Sequence, residues 1–138
     1  NRYVKIDNDT LNLLNKIDNN STEIDNNDTE EILKKLLGTK GIQLPMASTI
    51  LRFRNKNIYQ IIDQRVYRII YSTKKLKSYT SIKNLKDQID LYLQYLKDLR
   101  DVCNTLGIPF DNSDRILYMA DKRINKHISL HNYSNNSI

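Results

Sequence analysis

Residues 36–71 read LLGTKGIQLPMASTILRFRNKNIYQIIDQRVYRIIY, from Leu36 to Tyr71, and this stretch decides the fold. It contains the end of one helix, a tight glycine hairpin, a second helix and a short loop. An apolar run, Ile58 to Ile62, then hands one carboxylate, Asp63, to the start of a third helix. Between Ile32 and Lys86 there are thirteen Lys and Arg, and Asp63 is the only acidic residue. A lone acid in so basic a field points to chemistry on a polyanion.

The local signals are physical. Ile32, Leu33, Leu36 and Leu37 recur at helical spacing over 29–37, with Asp28 or Thr29 as N-cap and Glu30 and Glu31 in the first turn. Gly38 suits the helix end, Gly41 supplies a second permissive backbone position, and Pro45 fits the opening of the next helix. Two helices joined by such a turn aim backbone amides at a phosphate, although the same pattern also serves plain packing. Over 45–53, Ala47, Ile50, Leu51 and Phe53 are the expected buried stripe, with Arg52, Arg54 and Lys56 projecting outward. Helical spacing resumes with Val66, Ile69 and Ile70, which places Asp63 at a helix N-terminus. Peptide dipoles there favour its ionised form, and an N-cap that bonds its own helix is the plainer alternative.

Taken together, 36–71 resembles the helix-hairpin-helix DNA glycosylase superfamily, which includes endonuclease III and the adenine, oxoguanine and alkyladenine glycosylases. Their pattern is L-x-G-V-G-x-K-T-A, followed by an Asp in V-D-T-H-V-x-R. This chain has T-K-G-I-Q-L-P-M-A, and Asp63 follows Ala47 by the family's interval of sixteen residues. Val66 and Arg68 fall where the Val and Arg of the second pattern stand. The resemblance implies an all-α, compact helical domain of endonuclease III type containing a helix-hairpin-helix motif. It also implies hydrolysis of an N-glycosidic bond in DNA, with the target base flipped from the duplex and Asp63 stabilising an oxocarbenium-like sugar and activating water.

On the same resemblance the hairpin, Lys40, Gly41, Ile42, Gln43, Leu44 and Met46, would hold DNA backbone, with K+ or Na+ on hairpin carbonyls. Arg52, Arg54, Lys56 and Arg65 are candidates for further phosphate contacts from their position alone. Two departures matter. Gln43 stands where the second hairpin glycine usually is, and Pro45 occupies the position of the lyase Lys. Proline has no amine to form an imine with the sugar, so the expected enzyme is monofunctional. The four-cysteine iron–sulfur loop is absent from a chain with one Cys, and no cofactor is expected.

The rest of the chain supports one small domain. Its 138 residues suffice for a single core, with residues 1–27 read as an N-terminal helix and polar loop, 28–126 as the hairpin-bearing domain and 127–138 as a frayed tail. The first residue is Asn1 rather than Met, so an upstream segment is allowed for. Residues 1–31 carry three basic and eight acidic side chains, 32–86 thirteen and one, and 87–138 six and seven. That partition predicts one positive face. With no apolar run of membrane-spanning length, no secretory signal and a lone Cys103, the expectation is an intracellular monomer partnered by DNA and not by membrane.

Thr10 to Ile17 reads as a short helix capped by Asp9 or Thr10, and 81–106 as the longest helix, with Leu85, Ile89, Tyr92 or Leu93, Leu96, Leu99, Val102 or Cys103 and Leu106 on one face. Gly107 and Pro109 end it, and Ser113 or Asn112 opens a last helix to about Asn125, packing through Ile116, Leu117, Met119, Ala120 and Ile124. Tyr59, Tyr67, Tyr71 and Tyr79 read as core residues first and base-stacking residues second, and 72–81 as an exposed basic loop. The Asp-Asn stretch at 19–27 lacks the glycine and terminal Glu of a calcium loop, and His127 with His131 lacks a third metal ligand. No acidic cluster suits a magnesium nuclease. Two rivals to the glycosylase remain open: a catalytically inactive helix-hairpin-helix DNA-binding module, and a helical protein-interaction domain with a basic face.

Overall fold

A computed structural model describes residues 4–71 and 84–130, and every regular element among them is helical. The helices are α1 (Asn8–Lys16), α2 (Asn26–Leu37), α3 (Leu44–Arg54), α4 (Gln64–Ile70), α5 (Leu85–Leu106) and α6 (Ser113–Ile124), with a 3-10 turn at Phe110–Asn112 before α6. The all-α expectation therefore holds over the described residues. Tyr79, His131, the basic loop at 72–81 and the first three residues of the helix expected over 81–106 lie outside them.

The first two helices start earlier than the sequence suggested. Asp7, not Asp9 or Thr10, caps α1 by accepting from the Thr10 amide at 2.8 Å. Asp25, not Asp28 or Thr29, caps α2 by accepting from the Asp28 amide at 3.0 Å. That frees Thr29 to turn inward, where its hydroxyl lies 2.7 Å from the Tyr59 hydroxyl. Gly107 ends α5 at φ 70°, a left-handed conformation that costs a Cβ-bearing residue 1–2 kcal/mol by rough estimate. Gly38 ends α2 differently, at φ −77°, in ordinary right-handed backbone.

The core joins Leu14 of α1, Ile32, Leu33 and Leu36 of α2, Ala47 and Leu51 of α3, Val66 of α4 and Ile89, Leu96 and Leu99 of α5. Among the expected members outside it are Phe53, 85% exposed, and Leu106, 62% exposed. Phe53 lies about 200° around α3 from buried Leu51, on the opposite face, and Leu106 is the last residue of α5. Tyr95, which periodicity missed, is fully buried. Ile50 packs at the core's edge, and Cys103 is buried within it, where burial pushes its thiol up from the ordinary value.

The centre of the fold is not a helix. Residues 58–62 run non-helically, and Ile58, Tyr59, Gln60 and Ile62 are buried. Buried backbone must find partners, and here side chains from three helices provide them. The Tyr92 and Tyr95 hydroxyls donate to the Gln60 and Ile61 carbonyls, each at 2.9 Å. The Ser48 hydroxyl accepts from the Ile62 amide at 3.1 Å, and an Asp114 carboxylate oxygen lies 3.4 Å from the Ile61 amide. The Gln60 side chain accepts the Asp114 amide at 3.1 Å and donates to the Lys56 carbonyl at 2.9 Å. This pinned segment fixes where Asp63 emerges.

The core reading of the described tyrosines is the observed one. Tyr67 and Tyr95 stack at 6.4 Å between ring centroids, Tyr92 continues the stack from Tyr95, and Tyr71 tilts against Tyr67 at 4.4 Å. Tyr71 donates to Asp98, and burial with that bond raises its pKa far above the phenol range.

Candidate functional site

Helix α2 closes into a turn over Thr39 to Ile42, where the Ile42 amide donates to the Thr39 carbonyl at 3.1 Å. Gly41 carries the turn at φ 90°, and a Cβ there would come within 3.2 Å of a Val4 methyl. Ile42 and Leu44 anchor the turn in the core, while Lys40, Gly41, Gln43 and Met46 face outward. Gln43 is the N-cap of α3, and its side chain makes no capping bond. The Leu44 and Met46 amides in the first turn therefore have no side-chain cap, and Pro45 contributes no amide. Such an N-terminus suits an anion.

Asp63 stands at the α4 N-terminus, as expected, and caps it by accepting from the Val66 amide at 2.9 Å. The helix N-terminus favours the ionised form, as expected, but desolvation works against it. Burial raises the pKa, the bonds from the Val66 and Arg65 amides oppose that shift, and the nearby Asp114 charge adds to it. The carboxylate is half-buried, so desolvation outweighs two amide bonds. A raised pKa makes the anion a stronger proton acceptor.

The arginines differ most from expectation. Arg52 and Arg54 do not project outward. Arg52 lies 3.1 Å from an Asp114 carboxylate oxygen and donates to the Asp111 carbonyl at 3.0 Å. Arg54 donates to the Ile17 carbonyl at 2.8 Å, closing the C-terminus of α1. Arg65 donates to Asp121 at 3.1 Å, and Arg68 meets both Asp121 oxygens at 2.6 and 2.7 Å. Asn125 adds a bond to Asp121 at 2.6 Å. Lys40 and Lys56, by contrast, are exposed.

The basic middle is thus partly neutralised by two acids from α6. Asp114, Leu117 and Asp121 are its buried stripe, with Ser113 beside them, while Met119 and Ile124, expected in the core, are 49% and 72% exposed. The signal was available: Asp114, Leu117 and Asp121 fall at i, i+3 and i+7, one face of a helix. Reading acids as solvent-facing hid it. Gln60 and Asn55, also buried, gave no sequence signal, since only the folded chain supplies their partners. Asn55 donates to the Asp18 and Ser21 carbonyls at 2.7 and 2.9 Å and so ties down the loop after α1.

Two cavities lined by described residues lie elsewhere. One, of about 460 Å³, borders α5 with Leu93, Lys97, Arg100 and Phe110, and the Arg100 guanidinium sits 4.0 Å from the Phe110 ring centroid. The other, of about 420 Å³, is an open groove along α6 between Arg115 and Arg123. No helix among the described residues is long and apolar enough to cross a membrane. No protein-family model, no curated protein and no solved structure matches the chain, so the observations that bear on function are those of the chain itself.

Proposed function

We propose that this chain is an endonuclease III-like helix-hairpin-helix domain that hydrolyses an N-glycosidic bond in DNA without lyase activity. The observation that carries the reading is Asp63: a half-buried carboxylate with a raised pKa, at a helix N-terminus, sixteen residues beyond Ala47 of a glycine hairpin. The uncapped amides of Leu44 and Met46 with Lys40 would take a backbone phosphate, and Lys56, beyond the far end of α3, a separate and more distant one. The Lys40, Gly41 and Ile42 carbonyls accept no backbone hydrogen bond among the described residues, and those are the oxygens K+ or Na+ would take. With the base flipped out of the duplex, the Asp63 anion would stabilise the oxocarbenium-like sugar and accept a proton from the attacking water. Pro45 offers no amine, so the product is an abasic site rather than a nicked strand. The site needs no second subunit, and the setting is intracellular DNA.

The test presents duplexes carrying uracil, alkylated purines, oxoguanine mispairs and modified pyrimidines, then reads abasic sites by alkali. Wild type should yield alkali-dependent breaks on one class and give no borohydride-trapped complex. Asp63→Asn keeps a good N-cap, so it should fold and bind DNA yet lose excision by about 10²-fold or more. Excision that survives Asp63→Asn refutes the assignment of Asp63. A second reading, a DNA-binding module without catalysis, is favoured by one observation: an Asp63 oxygen is already engaged by the Val66 amide. Salt-dependent binding with no excision on any of these duplexes would select it.

A further inference from the structure

Helix α6 and the turn after it hold six charged side chains between residues 113 and 126, and the fold sorts them by sign. Asp114 and Asp121 are buried, facing Arg52, Arg65 and Arg68. Arg115, Lys122, Arg123 and Lys126 are all exposed. At 100° per residue, Arg115, Met119 and Lys122 fall in one outward line with Arg123 alongside it, and Lys126 follows in the exposed turn after the helix. The only two acids of α6 are turned inward and already paired, so they do little to cancel the outer field. From Arg115 to Arg123 the helix rises about 12 Å, the axial length of roughly three to four base pairs.

We propose that this outer face of α6 is a second nucleic-acid contact, gripping phosphate backbone through Arg115, Lys122, Arg123 and Lys126 beside the Asp63 helix. Helix α6 packs against α4, and Asp114, one residue before Arg115, is close enough to Asp63 to act on its charge. The chemistry of the face favours phosphate over protein. Protein interfaces want a buried apolar centre and are depleted in Lys, whereas this face has two Lys and two Arg around the half-exposed Met119, with the Lys122 ammonium 5.4 Å from the Tyr118 ring centroid. The groove between Arg115 and Arg123 has Ile116, Met119 and Ala120 on its floor, a surface against which a sugar edge can rest. Identifying the polyanion as DNA rests on the function proposed above.

The experiment measures the affinity of the full chain for an undamaged duplex of about 20 base pairs across roughly 50 to 200 mM salt. The variant carries Arg115→Gln, Lys122→Gln, Arg123→Gln and Lys126→Gln, all exposed positions, and circular dichroism checks its fold. A control carries Lys16→Gln, Lys86→Gln and Lys97→Gln. Each phosphate contact steepens the slope of log affinity against log salt by about 0.9, so the α6 variant should lose about 3 to 4 of slope and the control less than about 1. Equal slopes for the two variants, or no salt-dependent binding by wild type, overturn the proposal. Polyglutamate bound as tightly as the duplex at the same ionic strength overturns the nucleic-acid assignment in favour of an acidic protein. Excision lost on every substrate while the slope difference persists removes the glycosylase reading and leaves this contact standing. Excision retained with no slope difference does the reverse.

Discussion

Replacing Asp121 by Asn should loosen the whole of α6. The Asp121 side chain is 0% exposed, and the Arg68 and Arg65 side chains facing it are 17% and 21% exposed. Removing one partner of a buried pair costs about 3–5 kcal/mol, because the remaining charges are left uncompensated. Both guanidiniums keep about a fifth of their surface in water, which places the cost near the low end, about 3 kcal/mol. Against a total stability of roughly 5–15 kcal/mol this is severe, and it should lower the urea midpoint by roughly 1.5–2 M. Replacing the set by apolar residues, Asp121→Leu with Arg65→Met and Arg68→Leu, should recover most of the loss, since the desolvation of three charges disappears with them. Hydrogen exchange locates the effect: amides of 113–128 should lose protection before those of α5. The pH dependence gives a second handle. Burial works to raise the Asp121 pKa, but bonds from Arg68, Asn125 and Arg65 outweigh it and hold the pKa below 3.8. The stability due to this charge is therefore complete above the ordinary aspartate range and is lost as pH falls through the depressed value. Asp121→Asn should lack that acid limb. A midpoint shift under about 0.5 M, with the acid limb intact, would refute the view that this ion cluster holds α6 in place.

Four further outcomes follow from the same packing. Asp63 has a raised pKa, so its sign is opposite: stability should rise as pH falls from neutrality through its folded value towards 3.8, and urea midpoints of Asp63→Asn should lack that rise. Gly41→Ala should cost more than Gly107→Ala, since both glycines have positive φ but only the first has a Val4 methyl within 3.2 Å; thermal melts should rank them, with about 1–2 kcal/mol for Gly107→Ala. Gln60→Leu should cost roughly 2–4 kcal/mol in urea unfolding, because it strands the Asp114 amide and the Lys56 carbonyl in the interior. Phe53→Ser should change stability by no more than about 0.5 kcal/mol, whereas Leu51→Ala, two residues away and fully buried, should cost about 2–5 kcal/mol.

What the sequence made legible, and what it hid, divides along the kind of force involved. Apolar periodicity is local, so spacing located helices at 29–37, 45–53 and 81–106 that are found at 26–37, 44–54 and 85–106, and Gly41, Pro45 and Asp63 stand at the turn and helix starts their chemistry suggests. Burial of charge is not local. Thirteen cations between Ile32 and Lys86 look like one positive surface only while the acids of residues 114 and 121 are assumed to face water. Once 58–62 threads the core without a helix of its own, its backbone and the Gln60 side chain demand polar partners; from α6 the Asp114 carboxylate meets the Ile61 amide, and the Asp114 amide and Ser113 hydroxyl meet the Gln60 side-chain oxygen. Burying Asp114 then requires Arg52, and docking the far end of α6 through Asp121 requires Arg65 and Arg68. The same three arginines cannot be both the interior counter-ions of α6 and free phosphate contacts. Among the described residues, the exposed cations left for a polyanion include Lys40 at the hairpin, Lys56 after α3 and the outward cations of α6 itself. Arg52→Lys and Lys56→Gln separate the two classes. The first should destabilise the fold with little change in the salt slope, and the second should lower the slope by about 0.9 with the fold intact.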